Sequence, residues 1–177
     1  MLTVVSGLPG TGKSTVATLL HKENNANILN SDVIRKEIHN IDPYSDEKAA
    51  FEKGIYSTAN TEKTYAAILE RAEKLLASGR SVILDATFSK NHQRKTAKKI
   101  ALKTNAEFHI IECTLNEDAI KTRLEKRNKT KTVSDANFNI YLKQKARFEP
   151  IKEEHLKIDT LDNDETILMT IYNQIFR

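Results

Sequence analysis

Residues 3–15 read TVVSGLPGTGKST and combine three signals in one stretch. The β-branched run at residues 3–5 is typical of a strand. The segment GLPGTGKS at 7–14 satisfies the pattern G-x-x-x-x-G-K-[ST], and a helical pattern begins at Ser14. A strand, a glycine-rich turn and a helix in this order are the context in which that pattern forms a phosphate-binding P-loop. The stretch therefore predicts a site for the phosphates of a nucleotide.

Each residue type in this turn has a physical reason to be there. Glycines let backbone amides turn toward an anion. Lys13 is expected to neutralise the β- and γ-phosphates, Ser14 to place its hydroxyl on Mg²⁺, and Thr15 to assist near the α-phosphate. The predicted nucleotide-binding residues are Gly7, Pro9, Gly10, Thr11, Gly12, Lys13, Ser14 and Thr15. ATP and Mg²⁺ are the cofactors that this pattern predicts.

Composition limits the classes of protein to consider. The chain has 177 residues, of which 39% are hydrophobic and 29% charged, which fits one globular domain over residues 1–177. Its apolar runs are far shorter than the roughly 18 residues that a membrane span needs. A single cysteine, Cys113, cannot form an internal disulfide, so we expect a cytoplasmic protein without a membrane partner.

Strand patterns alternate with helical patterns along the rest of the chain. Such alternation predicts an α/β fold with three α/β/α layers around a mostly parallel five-stranded sheet. Together with the P-loop pattern at 7–14, it indicates a P-loop NTPase fold. Ligands bind beyond the carboxyl ends of the strands in such sheets. The later predicted strands lie at about 27–30, 81–86, 108–113 and 157–161, and the later predicted helices include 90–103, 135–148 and 164–176.

The segment SDVIR at 31–35 places Asp32 at the end of a predicted strand and Arg35 three residues later on the same side of a helix. A carboxylate near a γ-phosphate can accept the proton of an incoming hydroxyl. Asp32 is therefore a candidate general base, and Arg35 a candidate for orienting an anionic acceptor. The alternative is that Asp32 only caps the helix.

The segment VILDATF at 82–88 is an apolar strand that ends in a carboxylate, the form of a Walker-B segment. Asp85 is expected either to hold a magnesium water or to contact the acceptor. Lys90, Arg94 and Lys95 then crowd the start of a helix, where the helix dipole disfavours cations. A nearby anion would relieve this cost, so Arg94 is a candidate for contact with the acceptor or a phosphate, and its alternative is an ordinary surface position.

Arginines at 123 and 127 stand four residues apart on one helical face. Arg123 or Arg127 is expected to stabilise the transferring phosphoryl group from a helical lid over about 123–135, unless both are ordinary surface residues. The surrounding block 90–131 has a net charge of +7, and either a solvated helix face or contact with phosphates explains it. The five histidines, Cys113 and Tyr65 have no metal-ligand or nucleophile spacing and are assigned structural or surface roles.

Together, GLPGTGKST, SDVIRKEI, LLASGRSVILDATFSKNHQR, TRLEKR and VSDANF resemble a known family over nearly the whole chain. They resemble the small P-loop kinases often named predicted AAA-type kinases. These proteins are related to the kinase domain of bacteriophage polynucleotide kinase and, more distantly, to zeta toxins and chloramphenicol phosphotransferase. The P-loop is common to many NTPases, whereas SD-x-x-R and DAT-F-x(5)-R discriminate better.

The resemblance implies Lys13 and Ser14 on Mg-ATP, Asp32 as general base and Arg35 on the acceptor side. It further implies an acceptor pocket and an arginine in the lid, contributed by Asp85, Thr87, Arg94 and either Arg123 or Arg127.

The implied activity is transfer of the γ-phosphoryl group of ATP to a hydroxyl. The segment DATF departs from the Asn-Thr-Asn run of polynucleotide kinase, so the acceptor is left open between a small molecule and a 5′-hydroxyl nucleic-acid end. The alternative is a nucleotide-binding switch or ATPase without an acceptor. The oligomeric state is also left open.

Overall fold

The computed structural model describes residues 1–42, 54–127 and 136–175, which contain one five-stranded sheet. Its strands are β1 (Leu2–Ser6), β2 (Asn27–Asn30), β3 (Val82–Asp85), β4 (Phe108–Thr114) and β5 (Leu156–Asp159). Their order is β2-β3-β1-β4-β5, and all neighbouring strands are parallel. The predicted five-stranded sheet is confirmed, and its pairing is parallel throughout.

Helices join the strands and cover the sheet. They are α1 (Lys13–Asn24), α2 (Ser31–Ile38), α3 (Thr58–Ala77), α4 (Asn91–Lys103), α5 (Glu117–Arg127), α6 (Phe138–Lys145) and α7 (Asp164–Ile175), with a short 3₁₀ turn at Gly54–Tyr56 before α3. The helix predicted over 135–148 is shorter in the structure, and the strand predicted near 157–161 ends at Asp159. No helix within the described ranges combines the length and apolar character that crossing a membrane requires.

Adjacent residues of each central strand pack into opposite layers. Val4 and Leu84 contribute to the core beneath α3 and α4, whereas Val5 and Ile83 contribute to the core beneath α1 and α7. Because side chains alternate across a strand and both faces of this sheet are covered, the central strands bury apolar side chains on both faces. This arrangement confirms the three-layer α/β/α fold.

The parallel sheet brings its functional loops to one edge. Because all five strands run the same way, the segments that follow Ser6, Asn30, Asp85, Thr114 and Asp159 emerge at the carboxyl edge of the sheet. Strand β1 is central, with β3 on one side and β4 on the other. The P-loop after β1 therefore has the end of β3 as its direct neighbour.

The packing of α3 against the sheet generates a stability prediction. Ile68 on α3 is completely buried, and Ile68→Ala is expected to lower the free energy of unfolding by about 3 kcal/mol because a cavity remains in the core. Leu102→Ala on α4 is the control, since Leu102 is 68% exposed; it should change stability by less than about 0.5 kcal/mol. Urea unfolding measures both, and equal losses would contradict this packing.

Candidate active site

The P-loop makes a tight turn between β1 and α1. Gly10 and Gly12 both have φ +82°, a left-handed backbone conformation that strains residues with a Cβ. A Cβ on Gly12 would also lie 3.0 Å from the side chain of Thr160. Thr11 is buried and braces the turn from inside, because its hydroxyl donates to the Leu8 carbonyl over 2.7 Å. The turn is thus closed by its own residues and by close packing from outside.

Lys13 is the first residue of α1, and its side chain folds back over the loop. Its Nζ donates to the Leu8 carbonyl over 3.0 Å. Burial lowers the pKa of Lys13, and the carboxylates of Asp85 and Asp32 oppose that shift. A bound polyphosphate would act in the same direction as these carboxylates, because an adjacent anion favours the charged amine.

Ser14 and Asp85 form the direct link between the P-loop and β3. The Ser14 hydroxyl donates to Asp85 Oδ2 over 2.7 Å, and the Asn30 side-chain amide donates to the same oxygen over 2.7 Å. Asn30 and Asp85 are register partners in the β2-β3 pair, which explains why both reach this point. A hydroxyl and a buried carboxylate in contact beside a phosphate loop are the oxygen ligands that suit Mg²⁺.

Asp32 is not the N-cap of α2. That position belongs to Asn30, whose side-chain oxygen accepts from the backbone amides of Asp32 and Val33 over 2.9 and 3.0 Å. The carboxylate of Asp32 instead pairs with Arg35, with 2.8 Å between Oδ1 of Asp32 and Nη1 of Arg35. The Arg35 guanidinium also lies over the ring of Tyr56, 4.8 Å from its centroid. The two side chains therefore stand together beside the P-loop, as the sequence predicts.

A cavity of about 580 Å³ joins these groups in the described part of the chain. The P-loop contributes Pro9, Gly10, Lys13 and Ser14, and the ends of the neighbouring strands contribute Asp32, Arg35, Asp85 and Thr87. One outer wall is formed by Tyr56, Thr58, Thr61 and Glu62, and the other by Ser89, Lys90, Gln93, Gln144 and Arg147. We call this the larger cavity, and its volume suits a small organic ligand.

A smaller cavity lies on the opposite side of the P-loop. It shares Gly10, Lys13 and Ser14 with the larger cavity, and it adds Thr15 and residues that follow β5. Those following β5 are Thr160, Leu161, Asp162, Asp164 and Ile167. The phosphate loop is therefore the partition between two cavities.

The two candidate arginines of α5 have different positions. Arg123 lines only the smaller cavity, where its guanidinium donates to the hydroxyl and the carbonyl of Thr160 over 3.0 and 2.6 Å. Arg127 lines both cavities and donates to the Ala136 carbonyl over 2.7 Å. Only Arg127 thus stands at the junction. Of the predicted lid over 123–135, residues 128–135 lie outside the described residues.

The structure corrects the expectation for Arg94. Its side chain is completely buried and does not line either cavity. It donates to the backbone carbonyls of Phe88, Glu149 and Pro150 over 2.7, 3.2 and 3.1 Å. Arg94 therefore joins the start of α4 to residues 149–150 instead of contacting a ligand.

The anion expected at the start of α4 is a residue of the chain itself. The carboxylate of Glu149 accepts from the backbone amide of Asn91 over 2.7 Å and from Lys90 Nζ over 3.2 Å. These contacts lower the pKa of Glu149, first through the Asn91 amide and then through Lys90. The helix dipole is thus satisfied internally.

Thr87, which the resemblance assigns to the acceptor pocket, lines the larger cavity. Its carbonyl also accepts from the Ser6 hydroxyl over 2.8 Å and from the Gly7 amide over 3.4 Å. Thr87 therefore contacts the P-loop through its backbone carbonyl and also lines the larger cavity.

Several residues that line the two cavities are absent from the sequence prediction, and Thr160 and Asn30 are two that contact the predicted residues directly. Thr160 contacts Arg123 and donates to the Thr11 carbonyl over 2.9 Å. The signal that would have found it is its position directly after β5, but the predicted strand extends through Thr160 and hides it. Asn30 precedes Asp32 at the end of β2, and only the strand register shows that it reaches Asp85.

Comparison with known proteins gives a family and several similar folds. A family model described as an AAA domain matches residues 2–151. Uncharacterized proteins from Mycobacterium tuberculosis and Mycobacterium bovis are 32% identical over 123 residues, which is 70% of this chain. The matched part is 25% of each of those proteins, so the chain corresponds to a fraction of its relatives' length.

Solved structures share the fold at low sequence identity. Kti12 from Chaetomium thermophilum, in complex with ADP-AlF3, has a TM-score of 0.75 at 17% identity, covering 99% of this chain and 97% of that one. APS kinase from Mycobacterium tuberculosis, in complex with AMPPNP and APS, has a TM-score of 0.67 at 20% identity, covering 96% of this chain and 94% of that one. A gluconokinase from Sinorhizobium meliloti has a TM-score of 0.64 at 18% identity, covering 96% of this chain and 87% of that one. These likenesses establish the P-loop fold.

The buried position of Arg94 generates a second stability prediction. Arg94→Met should lower the free energy of unfolding by about 3 kcal/mol, because three carbonyls lose their charged donor. Lys95→Met is the matched control on the same helix, since Lys95 is exposed. Urea unfolding measures both variants. An Arg94→Met protein as stable as the control would show that these contacts do not hold the segment.

Proposed function

The chain belongs to the AAA domain family, and from that premise we propose that it is an ATP-dependent kinase with a hydroxyl acceptor. The observation that carries the proposal is that the P-loop and the carboxylate of Asp32 face one cavity. A phosphate loop alone fits any NTPase. A carboxylate beside it, in a cavity with room for a second ligand, fits transfer to an acceptor.

The two cavities suggest how the substrates lie. We infer that the nucleotide base and sugar occupy the smaller cavity beside Arg123 and Thr160, and that the triphosphate crosses the P-loop. The terminal phosphate then faces the larger cavity near Gly10 and Lys13, which line both cavities. The acceptor enters from the Asp32 side. Such a path keeps the nucleotide and the acceptor on opposite sides of the transferred group, as in-line displacement requires.

The proposed magnesium ligand on this chain is the Ser14 hydroxyl, with Asp85 beside it. Their 2.7 Å contact supplies oxygen donors only, which fits Mg²⁺, an ion that otherwise prefers phosphate and water oxygens. When bound, Mg²⁺ neutralises charge on the β- and γ-phosphate oxygens. Asp85 holds the Ser14 side chain in place by accepting its hydrogen bond. The hydrogen bond from the Asn30 amide in turn orients the Asp85 carboxylate.

Asp32 acts as the proton acceptor in this proposal. Arg35 contacts Oδ1, which fixes the carboxylate and leaves Oδ2 to accept the hydroxyl proton of the acceptor. Stacking on Tyr56 holds Arg35 in turn. Arg127 is the proposed charge-stabilising arginine of a helical lid within a single kinase domain, because it stands at the junction of the two cavities.

The outer walls of the larger cavity support a small-molecule acceptor. Hydroxyls of Thr58 and Thr61, the Glu62 carboxylate and the Gln93 amide offer donors and acceptors to a polar small molecule. A small-molecule acceptor is supported by the APS kinase neighbour, which holds AMPPNP and APS together. A 5′-hydroxyl nucleic-acid end is the other class to test.

The single buried cysteine, Cys113, supports a reducing compartment such as the cytoplasm.

The central test removes the proposed base. Asp32→Asn should leave the Kd of Mg-ATP within about twofold and lower phosphoryl transfer roughly 10²- to 10⁴-fold, because an amide keeps the shape of the side chain but cannot accept the proton. Labelled γ-phosphate is followed across nucleosides, amino sugars, aminoglycosides and 5′-hydroxyl oligonucleotides. Lys13→Ala should impair both binding and transfer.

Exposed Asp118→Asn on α5 is the matched control for that test. Unchanged turnover in Asp32→Asn would remove Asp32 from the base role. If the wild-type protein releases the labelled γ-phosphate only as inorganic phosphate, the chain is an ATPase or switch and not a kinase.

The magnesium assignment has its own test. Asp85→Asn should raise the Mg²⁺ concentration for half-maximal transfer at least about tenfold, because it removes the charge that holds the metal-binding hydroxyl. Glu107→Gln is the control, since Glu107 is exposed before β4 at the opposite edge of the sheet. A Mg²⁺ requirement that is the same in both variants would contradict the assignment of Asp85.

A further inference from the structure

The turn of residues 86–90 after β3 contains a strained residue that neither cavity explains. Phe88 has φ +45°, a left-handed backbone conformation that is uncommon and strained for a bulky side chain. It is also completely buried. Such a conformation persists only where surrounding contacts hold it.

Two buried side chains hold Phe88 from opposite sides. Its backbone amide donates to the Tyr65 hydroxyl over 2.9 Å, and its carbonyl accepts from Arg94 over 2.7 Å. The rings of Tyr65 and Phe88 meet edge to face, with centroids 5.1 Å apart. Tyr65 comes from α3 and Arg94 from α4, so the strained turn is clamped between two helices.

The clamped turn contacts parts of the site on either side. One residue earlier, the Thr87 carbonyl accepts from Ser6 and Gly7, where the P-loop begins. One residue later, the Ser89 carbonyl accepts from the Glu149 amide over 2.9 Å. Thr87 and Ser89 also line the larger cavity. The distance between the P-loop and the acceptor wall therefore depends on this turn.

We propose that Tyr65 is a positioning residue for phosphoryl transfer: its hydroxyl holds the Phe88 turn, which fixes Thr87 between the P-loop and the acceptor. This inference rests on the proposed kinase function. Tyr65 also lines the larger cavity, but the proposed role acts through the turn and requires no contact between Tyr65 and either substrate. Burial raises the pKa of Tyr65 to about 12, so the hydroxyl stays neutral in the ordinary working range.

Nucleotide binding should not depend on this clamp, because the far end of the P-loop has independent support. The Thr160 hydroxyl donates to the Thr11 carbonyl, and Lys13 Nζ donates to the Leu8 carbonyl. Loss of the Tyr65 hydroxyl leaves both contacts in place. The expected signature is a lower kcat with unchanged nucleotide affinity, which a general loss of stability would not produce.

The first experiment compares Tyr65→Phe with Tyr172→Phe. Tyr65→Phe keeps the ring contact and should lower kcat for the best acceptor about tenfold or more, with the Kd of Mg-ATP within about twofold of wild type. Tyr172→Phe removes a hydroxyl that donates to Glu23 on the other side of the sheet, and it should leave kcat unchanged. An unchanged kcat in Tyr65→Phe overturns the inference alone, whereas a wild-type protein that phosphorylates no acceptor overturns the proposed function and the inference with it.

A double-mutant cycle separates action through the turn from direct contact with the acceptor. Ser6 is completely buried and does not line the larger cavity, yet its hydroxyl bonds to the same turn. Ser6→Ala should also lower kcat, and the double variant should lose less than the product of the two single losses, because both act through one turn. Independent, multiplicative losses would mean that Tyr65 does not act through the turn. If Tyr65→Phe does not fold, an unchanged kcat in Ser6→Ala overturns the proposal.

Discussion

The tight turn between β1 and α1 sets the position of every other group in the site. Its left-handed glycines bring the backbone around, and contacts at both ends keep it in place: Thr87 holds Gly7, and Thr160 holds Thr11. Each contact comes from a segment that follows another strand, β3 for Thr87 and β5 for Thr160, because the parallel sheet brings all its carboxyl ends to one edge. The P-loop is therefore a local motif whose shape is fixed by distant parts of the chain.

The carboxylates of Asp32 and Asp85 near the P-loop both have hydrogen-bond partners within the chain. Asp32 contacts Arg35, and Asp85 accepts from Ser14 and Asn30. Groups that already have fixed partners need little rearrangement when charge develops in the transition state, which is the physical basis of electrostatic preorganisation. Asn30 caps α2, so the carboxylate of Asp32 is not used as a helix cap. In our proposal this carboxylate accepts the proton of the acceptor.

Arg94 shows why a sound local argument can give the wrong position for a side chain. Cations at the start of α4 do require a nearby anion, and the sequence offers a bound ligand as one source. The structure supplies Glu149, which is 58 residues from the amide of Asn91 that it caps. No local pattern indicates that pairing, because it depends on how residues 149–150 return across the sheet. Tyr65 is a similar case, since its contact with Phe88 spans 23 residues.

The amino-acid order alone was sufficient for the alternation of strands and helices, the P-loop, and the approach of Asp32, Arg35 and Asp85 to one site. These features follow from side-chain periodicity, fixed spacing and the rule that strand ends share an edge, all of which are local or generic. The folded chain was needed to separate Arg123 from Arg127, to reveal Thr160 and to bury Arg94. Those outcomes depend on strand order and on contacts between residues far apart in the chain, and free energies of packing between such residues leave no periodic trace in the sequence.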